Sequence, residues 1–409
     1  MDGKILLRSL SLKNILSFGP EGVDIALQPL NVLIGPNGSG KSNFLEAIRL
    51  LQSTPRDIAQ PIRENGGISE WLWKGNDTDV PLARLASVIQ ASGYPTPSIS
   101  DRIIHSLSFD NQYNRLHIAN ETVRSLYGVQ RFFAYSYDGE IPYIWTLEEV
   151  KLDEEGKQIR TQKKRKASQL SFKSNLSILF QRNDPETYPD ITTLSELYSR
   201  IVLYTNFSFG RLAAARLPQS ADLESAFLNE DYSNLALVLN DLQNRPGVID
   251  TIIKKLRLFN DRIEDIKTLV NSGMVELRIR EKGLAQTIPA TRLSDGTLRF
   301  LCLLAILCHP NPPPLICIEE PELGMHPDIL ATIAELLVEA SKRTQLIITT
   351  HSDILLSKFR DTPEALVICE RNTNGTTMRR LTASEIEGWP DEISLGDIWL
   401  KGAIGGVRW

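Results

Sequence analysis

The 409-residue chain is poor in cysteine, methionine and histidine, with four, four and five of each, and only 7% of it is aromatic. Cys302, Cys308, Cys317 and Cys369 form no CxxC pair and have no histidine at metal-ligand spacing. That excludes a disulfide framework or a structural zinc site as the organising device. Each cysteine sits in an apolar helix or strand pattern, the usual place of a buried thiol in a reducing compartment. Long apolar runs are lacking too. Nothing reaches the ~18–20 residues of a membrane span, and the opening MDGKILLRSLSLKN is too polar for a secretion signal. A cytoplasmic protein without a membrane partner is the expectation. There is no sustained heptad seam, internal repeat or low-complexity tract. Neither charge sign is in large excess: the net charge is −5, so contact with nucleic acid has to come from a local basic surface. The remaining composition, 42% hydrophobic and 23% charged, is that of an ordinary globular protein. The length suits two or three domains, or one domain with a large insertion.

What is present is more specific. GPNGSGKS at Gly35–Ser42 follows the apolar run Leu30–Ile34 and precedes the helical pattern Asn43–Leu51. Strand, glycine-rich turn and helix are the setting a P-loop requires. Glycines at 35, 38 and 40 let successive N–H groups turn inward on a β-phosphate, at the positive end of the following helix. Lys41 is placed to reach the β- and γ-phosphates, and Ser42 to offer its hydroxyl to Mg²⁺. With Pro36, Asn37, Ser39 and Asn43, this stretch is the expected contact surface for a nucleoside triphosphate.

Lys4–Lys13 alternates like a half-buried strand, followed by a turn-rich loop at Asn14–Gly22 and a short strand at Val23–Leu27. Apolar strands are expected at Pro314–Ile318, Gln345–Thr349 and Ala365–Cys369. Helical patterns neighbour them at Ser294–Cys308, Pro327–Lys342 and Asp353–Phe359. Continuous apolar strands alternating with amphipathic helices predict an α/β fold with a largely parallel sheet covered on both faces. The middle differs. Residues 85–180 alternate like antiparallel strands, and 222–270 read as short amphipathic helices broken at Asn229–Asp231 and Arg245–Gly247. The expected organisation is a head in two parts, 1–84 and 291–409, around an insertion at 85–290 with antiparallel strands and then a large helical lobe.

Four features downstream fit a second half of the same site. LSDGT at Leu293–Thr297 opens an apolar helix that Ser294 or Asp295 can cap, while Gly296 keeps its first turn uncluttered. Such a helix start suits contact with a γ-phosphate. LICIEEPE at Leu315–Glu322 ends a buried strand in two carboxylates at the edge where open α/β sheets bind ligands. Glu319 is suited to the metal side, and Glu320 to accepting a proton from attacking water. In GMHP, His326 reads as a helix-start residue before Pro327. TTHSD at Thr349–Asp353 places His351 at a strand end, within reach of a γ-phosphate or a water.

This order of motifs resembles the ATP-binding-cassette ATPase heads in their RecF/SMC-like branch, including RecF- and OLD-like bacterial ATPases. The KNILSF run at Lys13–Phe18 and GKSNFLEAI after it are similar to that branch. The resemblance implies a Walker A loop at Gly35–Ser42, a signature loop at Leu293–Thr297, Walker B closing on Glu319 and Glu320, a D-loop at Leu323–His326 and a switch histidine at His351. It implies ATP and Mg²⁺ as ligands, with Ser42 and Glu319 on the metal. It also implies a head-to-head homodimer or higher oligomer in which Ser294 and Gly296 act on the partner's nucleotide. Glu-Glu stands where Asp-Glu is usual, and Gln90 is one candidate for the Q-loop. The 250 residues at 43–292 exceed what a transporter subunit needs, and without heptads they do not form an SMC-type coiled coil.

The expected role is an ATP-hydrolysing machine of DNA repair, DNA maintenance or anti-phage defence; the alternative is an ATP-stabilised scaffold or sensor with little hydrolysis. Only 58 residues follow His351, too few for an OLD-type Toprim domain, so a nuclease is expected as a separate partner. The tail Leu395–Trp409 either docks such a partner or packs on its own head. The basic run Arg160–Lys166 either meets DNA or is a solvated loop.

Overall fold

A computed structural model describes residues 3–405 apart from 76–81, 99, 128–129, 139–141, 153–157, 167–172, 208 and 391. Its centre is a six-stranded sheet in the order Ile201–Tyr204, Leu315–Glu319, Gln345–Thr350, Leu30–Ile34, Leu366–Asn372, Gly375–Arg380. The first five strands are parallel and the last is antiparallel. Leu30–Ile34 and Gln345–Thr350 are buried along their whole length. This is why these segments read as continuous apolar runs: side chains alternate across a strand, and both faces are covered. Leu30, Val32 and Ile34 enter a core with the helices Asp295–Leu307 and Leu330–Ser341. Leu33 enters a second core with the helix Lys41–Ser53.

That second core is closed by an eight-stranded antiparallel sheet. Its order is Val23–Ala26, Leu7–Lys13, Ala83–Gln90, Arg102–Gln112, Arg115–Tyr127, Gln130–Tyr137, Tyr143–Leu152, Gln158–Lys166. The strand Ala83–Gln90 runs through the expected division at residue 84. The hairpin after Gln112 turns on Tyr113 and Asn114, both in the left-handed region at φ 54° and 58°, the twist a two-residue hairpin needs. A buried polar cluster ties the sheet to the helix Pro189–Ser199. The Tyr198 hydroxyl lies 2.5 Å from Ser87 Oγ and 3.3 Å from His105 Nδ1, and His105 Nε2 is 3.1 Å from Glu121.

The middle of the chain departs from expectation in two ways. Helices form at Leu235–Gln243 and Val248–Phe259, but Ile263–Asn271 is a strand paired with Met274–Glu281. Its apolar residues at 263, 266 and 269–270 mimic helical spacing. The turn at Ser272 and Gly273, φ 50° and 76°, instead folds it onto the alternating Val275, Leu277 and Ile279. The lobe is therefore mixed, not purely helical. The stretch 85–290 also gives a strand of its own, Ile201–Tyr204, to the central sheet. At the carboxyl end of the chain, Leu395–Leu400 is a helix packed on its own head, with Leu395, Ile398 and Trp399 buried. Gly396 lies so close to Asp353 that a Cβ there would stand 2.3 Å from the Asp353 carbonyl oxygen. Residues 406–409 of the tail lie outside the described residues.

Candidate active site

In a parallel sheet all strands deliver their carboxyl ends to one edge. The register aligns Ile34 with Thr350, Glu319 with Thr349, and Ile318 with Tyr204. The P-loop, Glu319–Glu320, His351 and Thr205–Asn206 therefore meet at that edge, although 277 residues separate Ser42 from Glu319.

The loop's shape follows from its glycines and two clamping hydroxyls. Gly40 stands at φ 102° immediately before the helix Lys41–Ser53, where a Cβ would lie 2.3 Å from Thr376 Oγ1. Thr376 Oγ1 donates to the Ser39 carbonyl at 3.0 Å and lies 2.8 Å from Ser17 Oγ, whose hydroxyl can donate to it. Ser17 belongs to the KNILSF loop, so this motif buttresses the P-loop from behind. A Cβ on Gly38 would meet nothing within 4 Å, so the tip of the loop is open to a ligand.

Lys41 donates to the carbonyls of Gly35 and Pro36 at 2.8 and 2.9 Å, and to Ser39 Oγ at 3.4 Å. Burial lowers the pKa of its ammonium, while neighbouring acids including Glu320 and Glu319 pull it back up. Ser42 donates its hydroxyl to Glu319 Oε1. One turn along the helix, burial raises the pKa of Glu46 and Glu319 adds to the rise.

Glu320 sits at φ 45°, an uncommon position for a non-glycine residue. Its N–H is held by the Thr349 carbonyl at 3.1 Å, and its carboxylate faces His351 Nε2 at 3.5 Å. Both side chains are about one-quarter to one-third exposed (24% for His351, 34% for Glu320), so water reaches them. Behind them lies Glu322, which accepts from Thr350 Oγ1 at 2.5 Å and from the His351 N–H at 3.1 Å. Burial raises the Glu322 pKa, and its Oε2 has no hydrogen-bond partner among the described residues. It braces the His351 backbone from the strand that ends at Glu319. Sequence reasoning passed it over as the last letter of LICIEEPE; two carboxylates and then a third beyond a proline was the available signal.

Ser294 caps the helix Asp295–Leu307, accepting from the Thr297 N–H at 3.1 Å. Asp295 instead pairs with Arg216. Arg216 is 5% exposed and also donates to the carbonyls of Leu293 at 2.7 Å, Ala290 at 3.1 Å and Phe209 at 3.2 Å. It thus moulds the loop that delivers Ser294 and Gly296. Arg299, from the same helix, donates to the carbonyls of Leu323 and Phe207 and so joins this helix to the segment that follows Glu322. The nearest neighbours of a Cβ on Gly296 would be Phe259, the Gly324 carbonyl and Ser294, none of them in the P-loop. His326 accepts from the Asp328 N–H at 3.4 Å, the helix-start role expected of it.

Gln90 lies elsewhere. Its N–H bonds to the Leu6 carbonyl, beside the contacts Leu6 and Leu7 make with Gln345, at the amino ends of the parallel strands. It is therefore on the edge opposite Lys41, which removes it as a Q-loop candidate. The middle of the chain reaches the reactive edge at Thr205–Asn206, after the strand Ile201–Tyr204.

Comparison with known proteins bears on the fold and the family. The solved SMC head bound to the C-winged helix domain of ScpA superposes with a TM-score of 0.57, over 93% of this chain and 99% of that one, at 15% identity. A Pyrococcus furiosus Smc head with an extended coiled coil, bound to the C-terminal domain of ScpA, gives 0.54 over 93% and 97% at 13% identity. These likenesses show the fold. The Old nuclease of Escherichia phage P2 is 39% identical over 74 residues, which are 18% of this chain and 12% of that protein. Residues 30–357 match the family AAA_21, described as "AAA domain, putative AbiEii toxin, Type IV TA system". The chain belongs to the AAA_21 family and has the fold of an ABC-type ATPase head of the RecF/SMC/OLD-like group.

Proposed function

We propose that this protein binds and hydrolyses ATP with Mg²⁺, as a head-to-head dimer or larger assembly serving DNA maintenance or anti-phage defence. The observation that carries the reading is the meeting of Ser42 with Glu319 at the sheet edge that also holds Glu320 and His351. Hydroxyl and carboxylate together form the oxygen donor set a magnesium ion takes, and the open, glycine-lined loop beside them suits a triphosphate. Bound there, Mg²⁺ would neutralise charge on the β- and γ-phosphate oxygens.

The chain's own residues do the rest. The backbone N–H groups of Gly38–Ser42 cradle the phosphates. Lys41 exchanges the Gly35 and Pro36 carbonyls for phosphate oxygens. Glu320 takes the proton of the attacking water, and His351, braced by Glu322, orients that water or the γ-phosphate. Ser294 and the helix start at Gly296, whose near neighbours include no P-loop residue, serve the nucleotide of a second copy.

Glu320→Gln should trap an ATP-bound dimer, read by light scattering after gel filtration; turnover at the parental rate would refute the role of Glu320. ATP turnover measured with and without DNA separates a DNA-coupled machine from an ATP-stabilised scaffold. The partial match to a phage nuclease supports a nuclease as the effector.

A further inference from the structure

The eight-stranded sheet buries one face against the helices Lys41–Ser53 and Pro189–Ser199. Its other face carries half-buried or exposed side chains in cross-strand rows. Lys13 pairs with Arg84, and Gln90 with Arg102. Arg8 donates to Gln90, and its pKa is lowered by partial burial and by the charge of Arg102. Two like charges are thus held together. Between these basic ends lies a floor of small side chains, Ser11, Ala86, Ser106 and Thr122.

Further along the sheet the face becomes aromatic. Arg124, whose Nε lacks a hydrogen-bond partner among the described residues, pairs with Phe133. Phe133 is 44% exposed and stacks on Trp145 at 5.3 Å between ring centroids, with Tyr143 adjoining. The register then sets Trp145 against Lys164 and Tyr143 against Lys166, which makes the basic run the next strand of the same sheet; its side chains lie outside the described residues. Among the described residues, acids on this face include Asp24 and Asp110, the latter engaged by His117 at 2.9 Å, and Asp101 lies beside Arg102.

We propose that this sheet face binds single-stranded nucleic acid. The arginines meet phosphates, the floor lets the backbone lie close, and the exposed Phe133 ring is placed to stack on an unpaired base. A duplex keeps its base faces stacked internally, so it would leave that ring unused. Neither Arg84 nor Phe133 is among the residues assigned to the nucleotide, and the proposal stands or falls independently of ATP hydrolysis.

The test is fluorescence anisotropy on the full chain without nucleotide, using labelled ~20-nucleotide oligothymidylate, oligouridylate and a duplex of equal length. Both single strands should bind more tightly than the duplex, and the tighter of the two identifies the preferred sugar. Phe133→Ala should weaken binding about tenfold with the salt slope unchanged. The exposed Arg84→Ala should lower the slope of log K against log salt by about one. Both variants should keep parental ATP turnover. The proposal is overturned by preference for duplex, by no binding at low salt, or by parental affinity and slope in both variants.

Discussion

Replacing Arg216 with Met removes one buried guanidinium and tests whether the signature loop is moulded by it. The side chain's volume is roughly kept, so cavity terms stay small. What disappears is a set of charge-assisted hydrogen bonds to the carbonyls of Leu293, Ala290 and Phe209. At ~1.5 kcal/mol each, three such bonds amount to about 4.5 kcal/mol. The contact with Asp295 adds little, because that carboxylate is 68% exposed. If the loop can open locally, the loss appears there before it appears as global unfolding. The expected result is that Arg216→Met binds Mg-ATP like the parent, measured by calorimetry. It should also fail to form the ATP-dependent dimer and lose most turnover, with a thermal midpoint several degrees lower. Arg216→Lys, keeping a charge but not the fork of donors, should fall between. A Met variant with parental melting and parental turnover would show that the carbonyls find other partners and that Arg216 does not shape the site.

Glu322→Ala leaves the Thr350 hydroxyl and the His351 N–H without their acceptor. It should cut kcat about tenfold with KM for Mg-ATP unchanged; a loss confined to KM would place Glu322 in binding instead. Lys41→Ala should abolish binding of a fluorescent ATP analogue, and retained affinity would refute the phosphate contact. Gly40→Ala, forced to adopt φ 102° against Thr376, should lose nucleotide binding and cost about 1–2 kcal/mol of stability in denaturant titration. His309 is buried and its pKa is lowered, first by burial and then by Arg245. The folded state therefore binds fewer protons than the unfolded chain. Its contribution to stability is full above the ordinary value of 6.5 and is lost as pH falls from there through the lowered folded value. His309→Gln should flatten that acid-side loss in urea titrations at successive pH values, and an unaltered slope would exclude His309 as its source.

Much of the central sheet was legible because its signals are local. Leu30–Ile34, the residues around 315–319 and those around 345–350 are buried on both faces, so each announces itself as an apolar run. The residues that follow each run had to sit at the ligand edge. The cap at Ser294 was legible for the same reason. Ile263–Asn271 was misread because burial on one face of a bulged strand imitates helical spacing, and only the turn at Ser272–Gly273 decides the matter. Arg216 lies in an irregular stretch and acts through backbone carbonyls, which leave no side-chain pattern in a sequence. Gln90 looked eligible by type alone; its position depends on which way the Ala83–Gln90 strand runs through the sheet, which is a tertiary fact.

The strand before the P-loop has as its neighbours Gln345–Thr350 and Leu366–Asn372. During synthesis it therefore waits, with both edges unpaired, until more than three hundred further residues have left the ribosome. The hairpins from Ala83 onward can pair long before that. Pairing at such sequence separation is slow, and an apolar strand exposed meanwhile is prone to aggregation. The nucleotide cleft therefore cannot be complete, and ATP has no full site to stabilise, until those late strands have emerged.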